Sequence, residues 1–289
     1  MSPACAVIFP GQGSQHRNMR TLVDDYRPDL AESATEVVGD DPFARAGEST
    51  RFLQPAVFCA SLAGWERYQS MDGAAPSFFA GHSLGEFAAL VAAGSVDELD
   101  GLRLVATRGE LMERAAEQTG GGMLAVVGDD AHDFGAGAGK FGLELAGDNS
   151  SDQIVLSGPT DGLKAAQDAA AERGLDARRL RIAGAFHHRS LKSVVPTFEA
   201  ALDEVDFRPP ARPVFSGVTA RPFDQVRALL AEGLRSAVLW RQVARELYGR
   251  GVRRFVEAGP GHVLLGLMRR TLPADIELET MDESEGGRG

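Results

Sequence analysis

The stretch Ser77-Phe-Phe-Ala-Gly-His-Ser-Leu-Gly-Glu86 decides how the rest of the chain is read. Ser77 to Ala80 is a short apolar β-type run stopped by Gly81, and the chain turns helical over Leu84 to Val91, so Ser83 falls in a sharp strand-to-helix turn. Gly81-His82-Ser83-Leu84-Gly85 is therefore a G-x-S-x-G pattern in the setting that a nucleophile elbow needs. The flanking glycines permit the tight turn that lifts the hydroxyl off the backbone, and the helix N-terminus favours the negative charge that develops during attack.

Working outward, Ala4 to Phe9 is a strand that feeds the glycine loop Pro10-Gly11-Gln12-Gly13, and a helix over Leu53 to Tyr68 opens near Pro55. A further helix covers Gly101 to Gln118 and is broken by Gly120-Gly121-Gly122. The texture then changes to strands at Met123 to Val127, Ile154 to Leu156 and Arg179 to Ile182, with a helix at Asp161 to Arg173, the alternation of a small α+β insert. Beyond it come a helix near Leu191 to Leu202, a strand at Val214 to Ser216, a helix at Leu239 to Tyr248, a strand at Phe255 to Glu257 and a helix after Gly259-Pro260-Gly261. Strands alternating with helices predict an α/β fold with a mainly parallel sheet covered on both faces. The predicted large domain is discontinuous, residues 1–119 and 184–275, around an insert at 120–183. The acidic, glycine-rich end, residues 276–289, is expected to fray.

The chain has 289 residues, 44% hydrophobic and 25% charged, which is an ordinary globular composition. A formal charge of -11 argues against a general nucleic-acid binder, whose phosphate contacts need surplus Lys and Arg. The acid is unevenly spread: between Leu234 and Arg270 eight arginines stand against Glu246 and Glu257, a local surplus of +6. Cys5 and Cys59 lie in apolar company without metal-ligand spacing and read as buried, reduced thiols. No basic leader precedes the first apolar run, and no run approaches the ~20 residues a bilayer span needs, so the expectation is a cytoplasmic protein that binds no membrane. Gly135-Ala-Gly-Ala-Gly-Lys140 fails as a phosphate loop, because Phe134 and Phe141 stand where glycine and Ser or Thr are required. Gly11-Gln-Gly-Ser-Gln-His16 lacks the third glycine of a dinucleotide fingerprint.

A serine needs a base to take its proton. Among His16, His82, His132, His187, His188 and His262, the run Gly184-Ala-Phe-His187-His188-Arg189 ends a strand in a glycine-containing turn, and His187 is the candidate base, with His188 beside it. Arg108 is the anomaly of its helix: at ~100° per residue it falls within the arc of Leu104, Val105, Leu111, Met112 and Ala115. A buried guanidinium needs an anion, either an internal carboxylate or a ligand, and a ligand carboxylate would suit its bidentate geometry.

Taken in order, Phe9-Pro-Gly-Gln-Gly-Ser-Gln15, Gly81-His-Ser-Leu-Gly-Glu86, Arg108-Gly109, Gln153-Ile-Val-Leu-Ser-Gly158, Ala185-Phe-His187 and Glu257-Ala-Gly-Pro-Gly261 resemble the malonyl-CoA:acyl carrier protein transacylase family, over nearly the whole chain to about Arg270. The resemblance implies an α/β-hydrolase-like large domain carrying a ferredoxin-like insert. It also implies that Ser83 accepts the acyl group and His187 activates it, that the N–H groups of Gln12 and Leu84 form the oxyanion hole, and that Arg108 pairs with a malonyl carboxylate. Phe186 resembles the malonyl-selecting type. A main-chain carbonyl near Gly233 would orient the histidine, and His188 stands where the family usually has a small residue. The implied reaction is transfer from a CoA thioester, with no bound cofactor, to the phosphopantetheine thiol of an acyl carrier protein, by a monomer. Such carriers are acidic, so Arg241 and Arg245 within the basic segment are candidate docking residues. Two alternatives use the same Ser and His: hydrolysis of carrier-bound thioesters, and transfer of a different acyl unit between carriers.

Overall fold

The computed structural model describes residues 4–71, 75–182 and 184–282. Within these residues the strands are β1 (Ala4–Phe9), β2 (Phe78–Gly81), β3 (Gly122–Val127), β4 (Glu144–Ser150), β5 (Gln153–Gly158), β6 (Asp176–Arg179), β7 (Val214–Phe215), β8 (Val252–Glu257) and β9 (Glu277–Thr280). One sheet has the order β7-β2-β1-β8-β9 and every pairing in it is parallel. β1 lies in the middle and is apolar on both faces. Cys5, Val7 and Phe9 enter one core while Ala6 and Ile8 enter the other, the two-residue period of a strand covered on both sides. The first core is closed by the helices Met19–Tyr26, Thr50–Ser70, Gly85–Ala92 and Glu98–Thr119, the second by Trp240–Gly249 and Val263–Arg269.

The second sheet has the order β4-β5-β3-β6, all antiparallel, and with the helices Ala131–Ala136 and Thr160–Glu172 it makes a β-α-β-β-α-β ferredoxin-like unit. It has its own core of Leu124, Val126, Ile154, Leu156, Leu163 and Phe134. Its outer strand is not left bare. The Val238 N–H donates to the Ala146 carbonyl at 3.0 Å and the Asp148 N–H to the Val238 carbonyl at 2.9 Å, so β4 docks on the large sheet's side of the molecule.

Several sequence expectations need correction. The helix expected from Leu53 begins at Thr50, with Pro55 inside it. Pro55 lies near the helix start and removes only the bond to Arg51, while the added residues bury Thr50 and Phe52. The strand expected at Arg179 to Ile182 lies earlier, at β6. The helix expected at Leu191 to Leu202 is a 3₁₀ turn, Arg189–Ser193, followed by the helix Val195–Asp203, because Pro196 is suited only to a helix's first turn.

The frayed end expected from residue 276 is contradicted for Glu277–Asp282. β9 pairs with β8, the Met281 N–H donates to the Glu257 carbonyl at 2.9 Å, and Asp282 is buried. The acidic strand is matched to an arginine-bearing neighbour: Arg254 holds Glu279 at 2.6 Å and Arg253 holds Asp275 at 3.1 Å. The remainder of the expected tail, 283–289, lies outside the described residues.

Candidate active site

Both glycines of the elbow are required by close approach. A Cβ on Gly81 would collide with the backbone of Gly85 and Glu86, and one on Gly85 with the carbonyl of Phe9. β1 and β2 thus pack directly against the helix that follows Ser83, which adopts φ +55° in the left-handed region. Gly85→Ala is expected to destabilise the protein by about 3 kcal/mol or more, since the obstacle is backbone and cannot rotate away. Chemical denaturation checks this, and an unchanged midpoint would count against the packing.

The hydroxyl held in this turn is 2.9 Å from Nε2 of His187. On the other side of the ring, Nδ1 faces two carbonyls, Gly233 at 2.8 Å and Ser236 at 3.1 Å. Carbonyls only accept, so Nδ1 carries the proton and Nε2 is left to accept from Ser83. His187 itself has φ +53° and is buried. Burial first, then the charges of Arg108 and His82, push its pKa down to about 3 against the opposing pull of the two carbonyls. The imidazole therefore rests neutral. Its neighbour His188 turns away: Nδ1 accepts the Ser190 N–H at 3.1 Å and Nε2 lies 3.7 Å from Glu144.

Arg108 reaches the same hydroxyl. One terminal nitrogen donates to Ser83 Oγ at 2.9 Å and the other to Gln54 Oε1 at 2.6 Å. Of the two anions left open for it, the internal carboxylate is not at hand: among the described residues no carboxylate lies within ion-pair distance of Arg108. Burial pushes its pKa down to about 10, opposed by the charge of Glu86, so it stays protonated. Holding this cation costs several kcal/mol of lost hydration. The same helix buries Leu102, Leu104, Val105, Leu111 and Met112 at about 1.5–3 kcal/mol each, which outweighs that cost. Gln54 is the site residue that sequence reasoning missed. The available signal was a single amide inside the apolar run Phe52 to Ala60.

The Gln12 loop is pressed onto the elbow, where the His82 N–H donates to the Phe9 carbonyl at 2.9 Å and a Cβ on Gly11 would meet the His82 carbonyl at 2.5 Å. The backbone N–H groups of Gln12 and Leu84 have no acceptor among the described residues. A cleft of about 110 Å³ opens before Ser83, lined by Gln12, Met112, Met123, Phe186 and His187. Behind Ser83, between Arg108 and residues 233–238, the free space is only about 10 Å³. That is room for about one water and none for a long acyl chain.

A model of the acyl transferase domain matches residues 7–282. The chain belongs to the malonyl-CoA:acyl carrier protein transacylase family. It is 40% identical over 282 residues to the polyketide biosynthesis protein ThaF of Burkholderia thailandensis, covering 93% of this chain but 24% of that longer protein. The polyketide biosynthesis malonyl CoA-acyl carrier protein transacylase BaeC of Bacillus velezensis is 36% identical, with 91% of this chain and 95% of BaeC covered. Among solved structures, the malonyl-CoA:acyl carrier protein transacylase of Xanthomonas oryzae pv. oryzae superposes with a TM-score of 0.89 at 31% identity, over 97% and 95% of the two chains. A malonyl-transacylase in complex with a type II polyketide synthase acyl carrier protein superposes with a TM-score of 0.88 at 30% identity, over 96% and 94%.

Two further motifs of this acyltransferase serve its architecture. Glu257 is fully buried, and its carboxylate accepts the N–H groups of Leu264 and Leu265 at 3.1 and 2.9 Å, which caps the Val263–Arg269 helix. Gln153 to Gly158 is β5, an inner strand of the insert. The basic segment is largely neutralised within the fold. Arg235, Arg241, Arg250, Arg253, Arg254 and Arg270 each have a carboxylate within 4 Å. Arg241 in particular does not project as a free cation, because it grips the buried Asp148. Among the described residues Arg245 has no carboxylate within ion-pair distance and meets the Ser151 hydroxyl at 3.3 Å. No helix among the described residues is long and apolar enough to cross a membrane.

Proposed function

We propose that this acyltransferase moves a malonyl-type acyl group from CoA to the phosphopantetheine thiol of an acyl carrier protein, by way of an ester on Ser83. Ser83 Oγ attacks the thioester carbonyl as its proton passes to Nε2 of His187. The N–H groups of Gln12 and Leu84 receive the tetrahedral oxyanion, a contribution worth about 3–4 kcal/mol per donor in other acyl-transfer enzymes. The C–S bond then breaks, and CoA leaves as the thiol with the proton from His187. In the second half-reaction the carrier thiol gives its proton to Nε2 and attacks the ester, and Ser83 leaves reprotonated.

The observation that carries the malonyl reading is Arg108, a buried cation aimed at Ser83 Oγ with no carboxylate within ion-pair distance among the described residues, Glu86 acting on it only through its charge from farther off. A free carboxylate on the acyl group is the anion it lacks, and the narrow space around it favours a short acyl unit. Phe186, buried on the cleft wall, would crowd an α-branch. Relatives named as polyketide biosynthesis transacylases, and the related transacylase solved with its carrier, support a polyketide carrier protein as acceptor. Arg245 remains the docking candidate on the basic side, whereas Arg241 is occupied.

The test is intact-protein mass spectrometry after exposure to malonyl-, methylmalonyl- and acetyl-CoA, followed by addition of a holo carrier protein. A malonyl adduct that discharges to the carrier supports the reading. Discharge to water at the same rate would make the protein a hydrolase, and an equal acetyl adduct would remove the role of Arg108. Arg108→Ala is expected to slow malonyl acylation by about 10- to 100-fold, the worth of one or two charge-assisted hydrogen bonds, while acetyl acylation changes little. Stopped acylation time courses on both substrates distinguish this from a general loss of activity.

A further inference from the structure

Strand β4 of the insert bonds directly to the segment beside the reacting residues, and one ion pair on that strand has no part in the chemistry above. Arg241 Nε lies 2.7 Å from Asp148 Oδ1, and a terminal nitrogen 2.9 Å from Oδ2. The Asp148 side chain is 6% exposed and that of Arg241 23%, so the pair is held largely out of water. A two-pronged, dehydrated pair of this kind fixes geometry as well as charge.

Its position gives that rigidity a use. Asp148 also donates its backbone N–H to the Val238 carbonyl, and Val238 donates back to Ala146. Val238 belongs to the short segment between the helices Val226–Glu232 and Trp240–Gly249, and the same segment presents the Gly233 and Ser236 carbonyls to Nδ1 of His187. Arg241 stands in the first turn of the helix that ends the segment. The far end of the carbonyl ledge under the histidine is thus pinned to the insert by the backbone of Ala146 and Asp148 and by the Asp148 carboxylate, beside the Leu239 N–H bond to the Gly217 carbonyl at 2.7 Å. At its near end the ledge is held by the preceding helix, where the Gly233 N–H donates to the Leu229 carbonyl at 2.9 Å and the Ser236 N–H to the Glu232 carbonyl at 3.0 Å, so the far end is where the insert can set its position.

We infer that Asp148 and Arg241 are positioning residues for His187, setting the ledge that holds its Nδ1–H, and that Arg241 is therefore not part of the carrier-docking surface. The inference rests on the proposed role of His187 as base, and predicts that breaking the pair impairs acylation itself. When the ledge shifts, Nε2 loses its alignment with Ser83. Misplacement of about 1 Å at a reacting group costs up to about 100-fold.

Asp148→Asn, Arg241→Met and the milder Arg241→Lys, which keeps the charge but gives up the two-pronged grip, test this on the intact chain. Two readouts are taken together. One is the single-turnover rate of Ser83 acylation by malonyl-CoA. The other is the downfield proton resonance of the His187 Nδ1–H in protein labelled with ¹⁵N-histidine, assigned by its disappearance in His187→Gln. The expected result is a rate lowered by about 10-fold or more, a KM for malonyl-CoA within about two-fold, and a broadened or shifted Nδ1–H signal. Unchanged acylation overturns the inference, as does acylation held constant while only transfer to the carrier fails, which would return Arg241 to the docking surface. Slower acylation with an undisturbed Nδ1–H signal also overturns it. Arg241→Lys carries the same criteria if the other two variants fail to fold. A wild-type protein that forms no acyl adduct would instead defeat the proposed function, and the resonance still reports on the ledge in that case.

Discussion

Ser83→Ala leaves no covalent acyl adduct and lowers transfer by about four orders of magnitude or more, in line with loss of the nucleophile in other serine acyl-transfer enzymes. The reason is that no other group can take its place. Ser83 Oγ is the atom to which both the His187 Nε2 and an Arg108 nitrogen are directed, each at 2.9 Å, and removing it leaves both without a reacting partner. The two thiols are no substitute: Cys5 and Cys59 are buried, and burial pushes both thiol pKa values up, away from the reactive thiolate. Intact-protein mass after malonyl-CoA treatment is the direct check. An undiminished adduct on the alanine variant would place the acyl group elsewhere and end the proposed mechanism.

His187→Ala is expected to slow acylation by about 10²- to 10⁴-fold, the usual worth of a positioned general base. Its pH behaviour is the sharper test. Because the folded-state pKa lies near 3, the imidazole is neutral and able to accept a proton throughout the working range. The acylation rate therefore carries no inflection from this group near 6.5, the ordinary histidine value. Burial pushes the Glu86 carboxyl, whose charge acts on Arg108, up to about 7, and a limb near that pH that disappears in Glu86→Gln is the expected trace of its titration. In Arg108→Ala the cationic repulsion is gone, so the His187 pKa rises and an acid limb moves toward neutrality. Stability follows the same linkage. The unfolded chain protonates this histidine as pH falls through about 6.5 and the folded one refuses the proton down to about 3, so stability is lost across that window at up to about 1.4 kcal/mol per pH unit. His187→Ala should flatten that part of the stability profile, as measured by urea midpoints between pH 4 and 7.

Much of this was legible along the chain. The elbow, the glycine loop after β1, the change of texture after Gly120 and the candidate pair Ser83 and His187 all rest on local signals: turn glycines, strand-length apolar runs and a histidine at a strand end. The helical period was enough to place Arg108 on the buried side of its helix. What escaped were elements without such signals. β4, Glu144-Leu-Ala-Gly-Asp-Asn-Ser150, contains a glycine and turn-type residues, and it is a strand because β5 pairs with it on one side and Val238 on the other. β9 is acidic enough to look like a tail, and is ordered by the register and arginines of β8.

The sequence alone therefore carries the fold class, the candidate nucleophile and the buried arginine, because each is written in residues close together in the chain. Tertiary packing alone settles which histidine meets the serine, that Arg108 is bonded to Gln54 with no carboxylate within ion-pair distance among the described residues, and that Arg241 faces inward. Each of those facts depends on residues 46 to 104 positions apart, which only tertiary packing brings within hydrogen-bond reach: helix against helix for Gln54 and Arg108, and insert against large domain for Asp148 and Arg241.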